Sequence, residues 1–550
     1  MPSIALLAPV VIPIATAGAV ALCGVAGWKI DRIVLGVGSW GAILVLIALW
    51  APVRATQEIS LGQLGFGAPL HLRLDGVAFA FALMVMVPAA VLLTMQPRAW
   101  QEGTVAALGL AAAVLAVEAG GVLLTALAGG AAATLAMVQL DVEDPRASRP
   151  SWGMLLAAWL ALSWVGAILQ VRGGTADYGA VPVSAFTVPI FIVLAVAALT
   201  ASGLFPWRGW VPQLWGRPAL RAAGMSVATL YPLGFYLLVR AYDMGDGHYP
   251  EFWLQAVLAS LGVLVAFGAA ARAQAATTRR EYLGEVIPGL GGFALMGISL
   301  GTPLGLVAGL ATLAVAAALA ACLPLLPDRA GIASLVTIAA AAGLPPGLAF
   351  GVRVIGLEAT FEAGNLLGLL GIAGAATWIV SIVAAARAIG LPAGRGHPTS
   401  ETAPRLAMGL AAGTVVAGPV LGLVLEILAM PALNDVMPAV TGVPAAGVES
   451  VVTVSTVLPA LALFTPVLLL AVVAYIGAGP PLVRVQARPA LFPLPAAELF
   501  GRMREQLQAA TIPDQYRSLV DLRALEAAAT GGGPLLWLAA LVALAFAVTR

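Results

Sequence analysis

Few ionisable side chains interrupt the apolar stretches of this sequence: Glu118, Arg353, Glu358 and Glu426, with Arg280 and Glu285 flanking one further stretch. The chemistry such groups serve inside a low-dielectric medium is proton or ion passage. It needs residues whose pKa is driven toward neutrality by burial and charged neighbours and which are joined through water. Arg353 and Glu358 are five residues apart and diverge by roughly 140° on a helix, so they pair only if the helix breaks or a neighbour intervenes. Arg353 reads either as a half-channel terminus or fixed positive charge beside a broken helix, or as a tether for that break with Glu358 at the surface. Glu118, beside Gly120 and Gly121, reads as a path carboxylate or as an interfacial residue. Arg280, in tandem with Arg279, reads as a path cation or as an anchor at the cytoplasmic edge. His71, His248 and His397 fall in loops and form no ligand set. The sequence carries no cysteine cluster, nucleotide loop or cofactor motif, so we expect no metal, no cofactor and no catalytic site in this chain.

The elements that must hold these residues follow from composition. Of 550 residues, 61% are hydrophobic and 10% charged, more apolar surface than a soluble core can bury. The lipid bilayer is therefore one partner, and nothing points to nucleic acid. Cys23 and Cys322 lie in apolar runs and read as packing residues. Lys29 is the one lysine among 27 basic residues, and an arginine, unlike a buried lysine, does not give up its proton.

A helical span takes about 20 apolar residues, and about fifteen to sixteen candidate spans can be drawn, among them 76–95, 103–119, 183–204, 219–240, 331–349, 353–388 with a break, 405–428, 456–478 and 534–549. The run from 3 to 28 is too long for a cleaved signal and is read as the first span. Residues 56–75 alternate apolar and polar around a glycine-rich turn, the pattern of a hairpin. Basic residues in alternate loops up to 330, eleven against four, place the N-terminus outside a bacterial-type inner membrane. The fold class is all-α and polytopic, divided as 1–102 with the hairpin, a repeat over 103–240, a second repeat over 252–388, C-terminal helices over 405–478, an amphipathic lateral segment over 480–530 and a terminal anchor over 534–550. Each repeat carries a break, at Phe205-Pro206 and at Gly343-Leu344-Pro345-Pro346. Matched breaks suggest inverted repeats with broken helices beside a path, although proline and glycine are common in membrane helices generally.

From Ala201 to Arg240 the sequence ASGLFPWRGWVPQLWGRPALRAAGMSVATLYPLGFYLLVR resembles, without a gap, the signature of the proton-translocating antiporter-like membrane subunits of respiratory complex I, the multisubunit sodium/proton antiporters and membrane-bound hydrogenases. The shared positions include Pro206, Trp210, Pro212, Tyr236 and Arg240. GLPPGLAFGVR over 343–353 is similar to the family's GLPPLAGFFSK, with Pro345 and Pro346 at its break and Arg353 at its lysine, and LRLDGVAFAFALM over 72–84 resembles the approach to its third helix. The resemblance implies an inverted-repeat antiporter-like fold with a scaffold of broken helices at Pro206, Trp210, Pro212, Pro345 and Pro346.

It also implies where protonatable groups should stand, and there the chain departs. The family's Trp-Glu pair falls on Gly129-Gly130, its first lysine on Ala201, a histidine on Ser226 and a further lysine position on Pro232. Each of these positions lacks a titratable group. The implied function is a subunit of a complex I-like or hydrogenase-like ion-translocating complex with lost or altered conduction. Its partners would be other membrane subunits, further antiporter-like ones among them, and a redox or zinc-dependent protein that holds any oxidoreductase activity. Two alternatives stay open: a membrane subunit of a bicarbonate or carbon dioxide uptake system, and an active proton or sodium translocator using Arg353 and nearby carboxylates.

Overall fold

The computed structural model describes residues 4–28, 30–63, 68–95, 99–143, 152–204, 210–211, 214, 220–326, 331–364, 366–392, 403–437 and 465–472. Helices α1 (Ala8–Val25) and α2 (Asp31–Trp50) form a pair that leads into the hairpin β1 (Gln57–Gln63) and β2 (Pro69–Leu74). The strands are antiparallel, with Gln57 opposite Leu74 and a register shift between Ser60 and Gly62. Leu72 and Leu74 are buried, and β1 is largely exposed. The predicted hairpin is therefore present, and His71 belongs to its second strand rather than to a loop.

The helices that follow are α3 (Gly76–Thr94), α4 (Trp100–Glu118), α5 (Val122–Glu143), α6 (Trp152–Gly173), α7 (Val188–Ala201) and α8 (Leu220–Met244). Next come α9 (Phe252–Gln274), α10 (Arg279–Ser299), α11 (Pro303–Cys322), α12 (Ile332–Ala342), α13 (Leu348–Glu362) and α14 (Leu367–Ile389). The last are α15 (Ala403–Val416), α16 (Leu421–Leu428) and α17 (Met430–Val436). Most are apolar around their whole circumference, which only burial in protein or lipid satisfies. Among the described residues eleven helices are long and apolar enough to cross a membrane: α1 to α6, α8 to α11 and α14. This is a multi-pass membrane protein.

Several expected spans take another form. The run 405–428 is two helices, α15 and α16, bent by 101°. The break expected within 353–388 is present: it is the turn between α13 and α14, where Gly364 takes a left-handed backbone at φ +67°. The expected break at 343–346 separates α12 from α13, and α7 is only 14 residues long. The anchor at 534–550 and the lateral segment at 480–530 lie outside the described residues, as do Pro206 and Pro212.

Burial sorts the helices into a centre and a rim. Every residue in the most apolar window of α8 is buried, and α3, α10 and α11 are nearly as enclosed, whereas α1 and α2 expose most of theirs. The α4–α5 connection is clamped at the hairpin end of the bundle. There the Gly120 amide donates to the His71 carbonyl at 3.0 Å, and the Tyr178 amide donates to the Gly120 carbonyl at 3.0 Å.

Candidate functional site

Arg353 stands at the break between α12 and α13. Gly343 ends α12 in a left-handed conformation, φ +69°, that favours glycine. Two and three residues on, Pro345 and Pro346 have no N–H to donate, so the carbonyls of Ala341 and Ala342, four residues before each, lose the partners a continuous helix would supply. The Arg353 side chain reaches back to both: Nη2 donates to the Ala341 carbonyl at 3.1 Å and Nη1 to the Ala342 carbonyl. The Trp378 indole of α14 adds a donor to the Ala342 carbonyl at 3.2 Å. The guanidinium lies over the rings of Phe293 and Trp378 at 5.2 and 5.7 Å. Arg353 is buried and its Nε has no hydrogen-bond partner. Glu358 is exposed and does not meet it. Arg353 is thus a tether for the broken backbone, and Glu358 faces outward.

A second group of charges gathers at the hairpin end. Asp75 is the N-cap of α3, its carboxylate accepting from the Ala78 amide at 2.8 Å. Arg240, near the end of α8, grips the same carboxylate with two hydrogen bonds of 2.8 and 2.7 Å, and neither side chain has any solvent exposure. Arg240 also donates to Asp243 at 3.0 Å and to the Tyr236 hydroxyl at 3.0 Å. Arg73 of β2 adds a third donor to Asp75 at 2.8 Å. From α17, Asp435 accepts the Gly76 amide. Burial pushes the Asp75 carboxyl up, but the guanidiniums of Arg240 and Arg73 outweigh it and hold the group below its ordinary range. Asp435 is the carboxylate left over: burial first, and then the charge of Asp75, push it up to about 6. Burial also raises Asp177, against the pull of His71 at 3.7 Å.

The positions where the resemblance places proton carriers hold residues without a titratable side chain. A Cβ on Gly129 would overlap the ring of Trp159 from α6, so the indole occupies the room that a side chain at 129 would need. Gly130 offers the Thr134 hydroxyl only its carbonyl, at 2.8 Å. The Ala201 carbonyl accepts from the Trp210 indole at 3.1 Å, and the Ala201 side chain is buried. Ser226 turns its hydroxyl back on its own helix, donating to the Ala222 carbonyl at 2.7 Å. Pro232 is buried inside α8. Beside it, the hydroxyl of Tyr231 donates to the Ile287 carbonyl at 3.2 Å.

Two other expected residues are more deeply placed than an edge position implies. Glu118 is 2% exposed at the end of α4, and neither carboxyl oxygen has a hydrogen-bond partner. Arg280 is buried too, donating to the Leu326 carbonyl at 3.2 Å. Its neighbour Arg279 binds the carbonyls of Ala388 and Ile389 and the Ser334 hydroxyl. Arg279 thus closes the end of α14 and Arg280 binds the segment that follows α11, rather than lying in solvent. Glu285 pairs with Arg272 at 2.7 Å.

The sequence matches no protein-family model and no curated protein. Solved structures do match. A chain of the Mrp complex from Dietzia sp. superposes with a TM-score of 0.70 at 19% identity over 99% of this chain, which spans 63% of that one. A chain of the membrane-bound sulfane sulfur reductase, an archaeal respiratory membrane complex, superposes at 0.67 with 18% identity, covering 99% of this chain and 100% of that one. A chain of respiratory complex I from Thermus thermophilus follows at 0.63 with 19% identity, over 79% and 99%. The fold is that of the antiporter-like membrane subunits.

Within this antiporter-like fold, three features of the site were not read from the sequence. Asp75 and Arg240 both lie in the motifs that carry the resemblance, and each is a charge amid apolar residues, which was the available signal that they pair. Asp435 had no such signal, because its partner is a main-chain amide 359 residues away. Trp159 likewise carries nothing local to say that it packs on Gly129.

Proposed function

We propose that this chain is an antiporter-like membrane subunit of a multisubunit ion-translocating complex and that conduction through it has been lost or rerouted. One observation carries the reading. At Gly129, Gly130, Ala201, Ser226 and Pro232, the positions corresponding to proton carriers, the side chains cannot titrate near neutral pH, and at Gly129 the room a side chain would need is taken by Trp159. A rerouted path is favoured by Glu118, a buried carboxyl with neither oxygen engaged, because a buried carboxyl that lacks partners is a candidate proton holder. Partners are further membrane subunits and a redox or zinc-dependent protein. The chain sits in a bacterial-type inner membrane with its N-terminus outside, and its repeats run over 103–240 and 252–388.

Isolation of the full-length chain from its native membrane in mild detergent is expected to bring down other membrane subunits. A monodisperse lone monomer overturns the assembly reading. Proteoliposomes of the purified chain are expected to hold an imposed pH gradient. A sustained proton flux sensitive to Glu118→Gln establishes the rerouted path, and flux insensitive to it overturns both forms of the reading.

A further inference from the structure

The α12–α13 break has the make-up of a cation site. Two carbonyls at the C-terminal end of a half-helix, Ala341 and Ala342, are deprived of donors by Pro345 and Pro346. The break lies level with Trp378, midway along α14, where no bulk water is at hand to satisfy them. A helix C-terminus also carries about half a negative charge. Unwound carbonyls and half-helix C-termini of this kind hold small monovalent cations inside membranes. Among the described residues, the donors found on these carbonyls beyond α12 itself are the Arg353 guanidinium and the Trp378 indole. No carboxylate among the described residues pairs with Arg353, and two aromatic faces complete its surroundings. The guanidinium is charged at neutral pH.

We infer that the break is a cation site occupied from within: Arg353 is a tethered cation seated on the Ala341 and Ala342 carbonyls, and it excludes a mobile Na⁺ or proton carrier from the centre of this chain. Three properties fit that role better than a purely structural tie. Among the described residues the charge has no acidic partner to cancel it, so it projects a positive potential into the break. Its Nε remains unengaged, so the bonds made are those to the orphaned carbonyls. The prolines that orphan the carbonyls and the arginine that fills them lie in one stretch of 13 residues, 341–353. A fixed guanidinium in a narrow membrane passage is a general device for rejecting cations.

The inference rests on the reading that the unaltered chain does not conduct, and the same assay separates the two. Full-length chain is reconstituted as the unaltered protein, Arg353→Ala and Arg353→Lys, and Na⁺ and pH gradients are imposed in separate runs. Unaltered liposomes are expected to stay tight. Arg353→Ala is expected to leak at least about tenfold faster, modest against the roughly thousandfold penalty between two unit charges in contact at an effective dielectric near 20. Millimolar ethylguanidinium is expected to refill the vacated site and restore tightness, and Arg353→Lys to remain tight. Leak through the unaltered chain defeats the reading of lost conduction. If the unaltered chain and a monodisperse Arg353→Ala protein are equally tight, the plug alone is refuted. A leak that ethylguanidinium does not reduce, or one equally large in Arg353→Lys, also refutes it, since either result ascribes the leak to collapse of the break.

Discussion

Replacing Arg240 by methionine keeps the length of the side chain and removes its charge from the hairpin-end cluster. In the folded protein the guanidinium makes two hydrogen bonds to Asp75 at 2.7 and 2.8 Å, and both side chains are fully buried. Breaking one partner out of a buried pair costs about 3 to 5 kcal/mol, because the other charge is left without compensation. Two unit charges 4 Å apart at an effective dielectric of 20 give about 4 kcal/mol, a similar figure. Asp75 would keep Arg73 at 2.8 Å and the Ala78 amide at 2.8 Å, which moves the expected loss to the low end, about 3 kcal/mol. Adding Asp75→Asn removes the stranded charge while an asparagine still caps α3, so the double variant is expected to regain about half of that loss. Reversible unfolding in mixed micelles with rising SDS, followed by tryptophan fluorescence, measures all four corners of this cycle. A loss below about 1 kcal/mol for Arg240→Met, or a double variant no better than the single one, refutes the view that these two charges are energetically a unit.

Gly129→Ala is expected to destabilise the chain by about 1 to 3 kcal/mol through overlap with Trp159, and Trp159→Leu in the same chain to recover most of it; both are read by the same SDS titration. The pH dependence falls on Asp435. Its carboxyl is pushed up to about 6 in the fold against an ordinary value near 4, so folding favours the protonated form. Its contribution is fully present below the ordinary value and is lost as pH rises through about 6. The facing groups are Asp75, Asp243, Arg240 and the Gly76 amide. Stability measured at intervals from pH 5 to 7.5 is expected to fall in the unaltered chain and to fall less in Asp435→Asn. Equal slopes contradict the assignment.

Much of this fold was legible because membrane helices declare themselves locally. A long apolar run needs no distant partner to be helical in lipid, and so the spans of α3, α4, α8, α10 and α11 were recognisable from composition. The hairpin was legible from its alternation, and the break at Gly343 from the two prolines that follow it. The bend between α15 and α16 was not, because an apolar run has the same composition whether it continues straight or turns. Burial of Glu118 and Arg280 escaped for a related reason: position along a span says how near an end a residue lies, not whether another element covers it.

By itself, then, the sequence determined that the chain crosses the membrane many times, that two prolines orphan the carbonyls of Ala341 and Ala342, and that glycine, alanine, serine and proline stand where proton carriers were expected. Those are properties of single residues and of neighbours four apart. Only the tertiary structure decided which charge meets which: Arg240 with Asp75 across 165 positions, Asp435 with the amide of Gly76, and Trp159 over Gly129. Nor did spacing show that Arg353 turns back to its own break instead of toward Glu358. That choice depends on Phe293 and Trp378, which come from two other helices to enclose the guanidinium. A buried charge is placed by the partners that can pay for its lost hydration, and in this chain those partners come together only once the helices have packed.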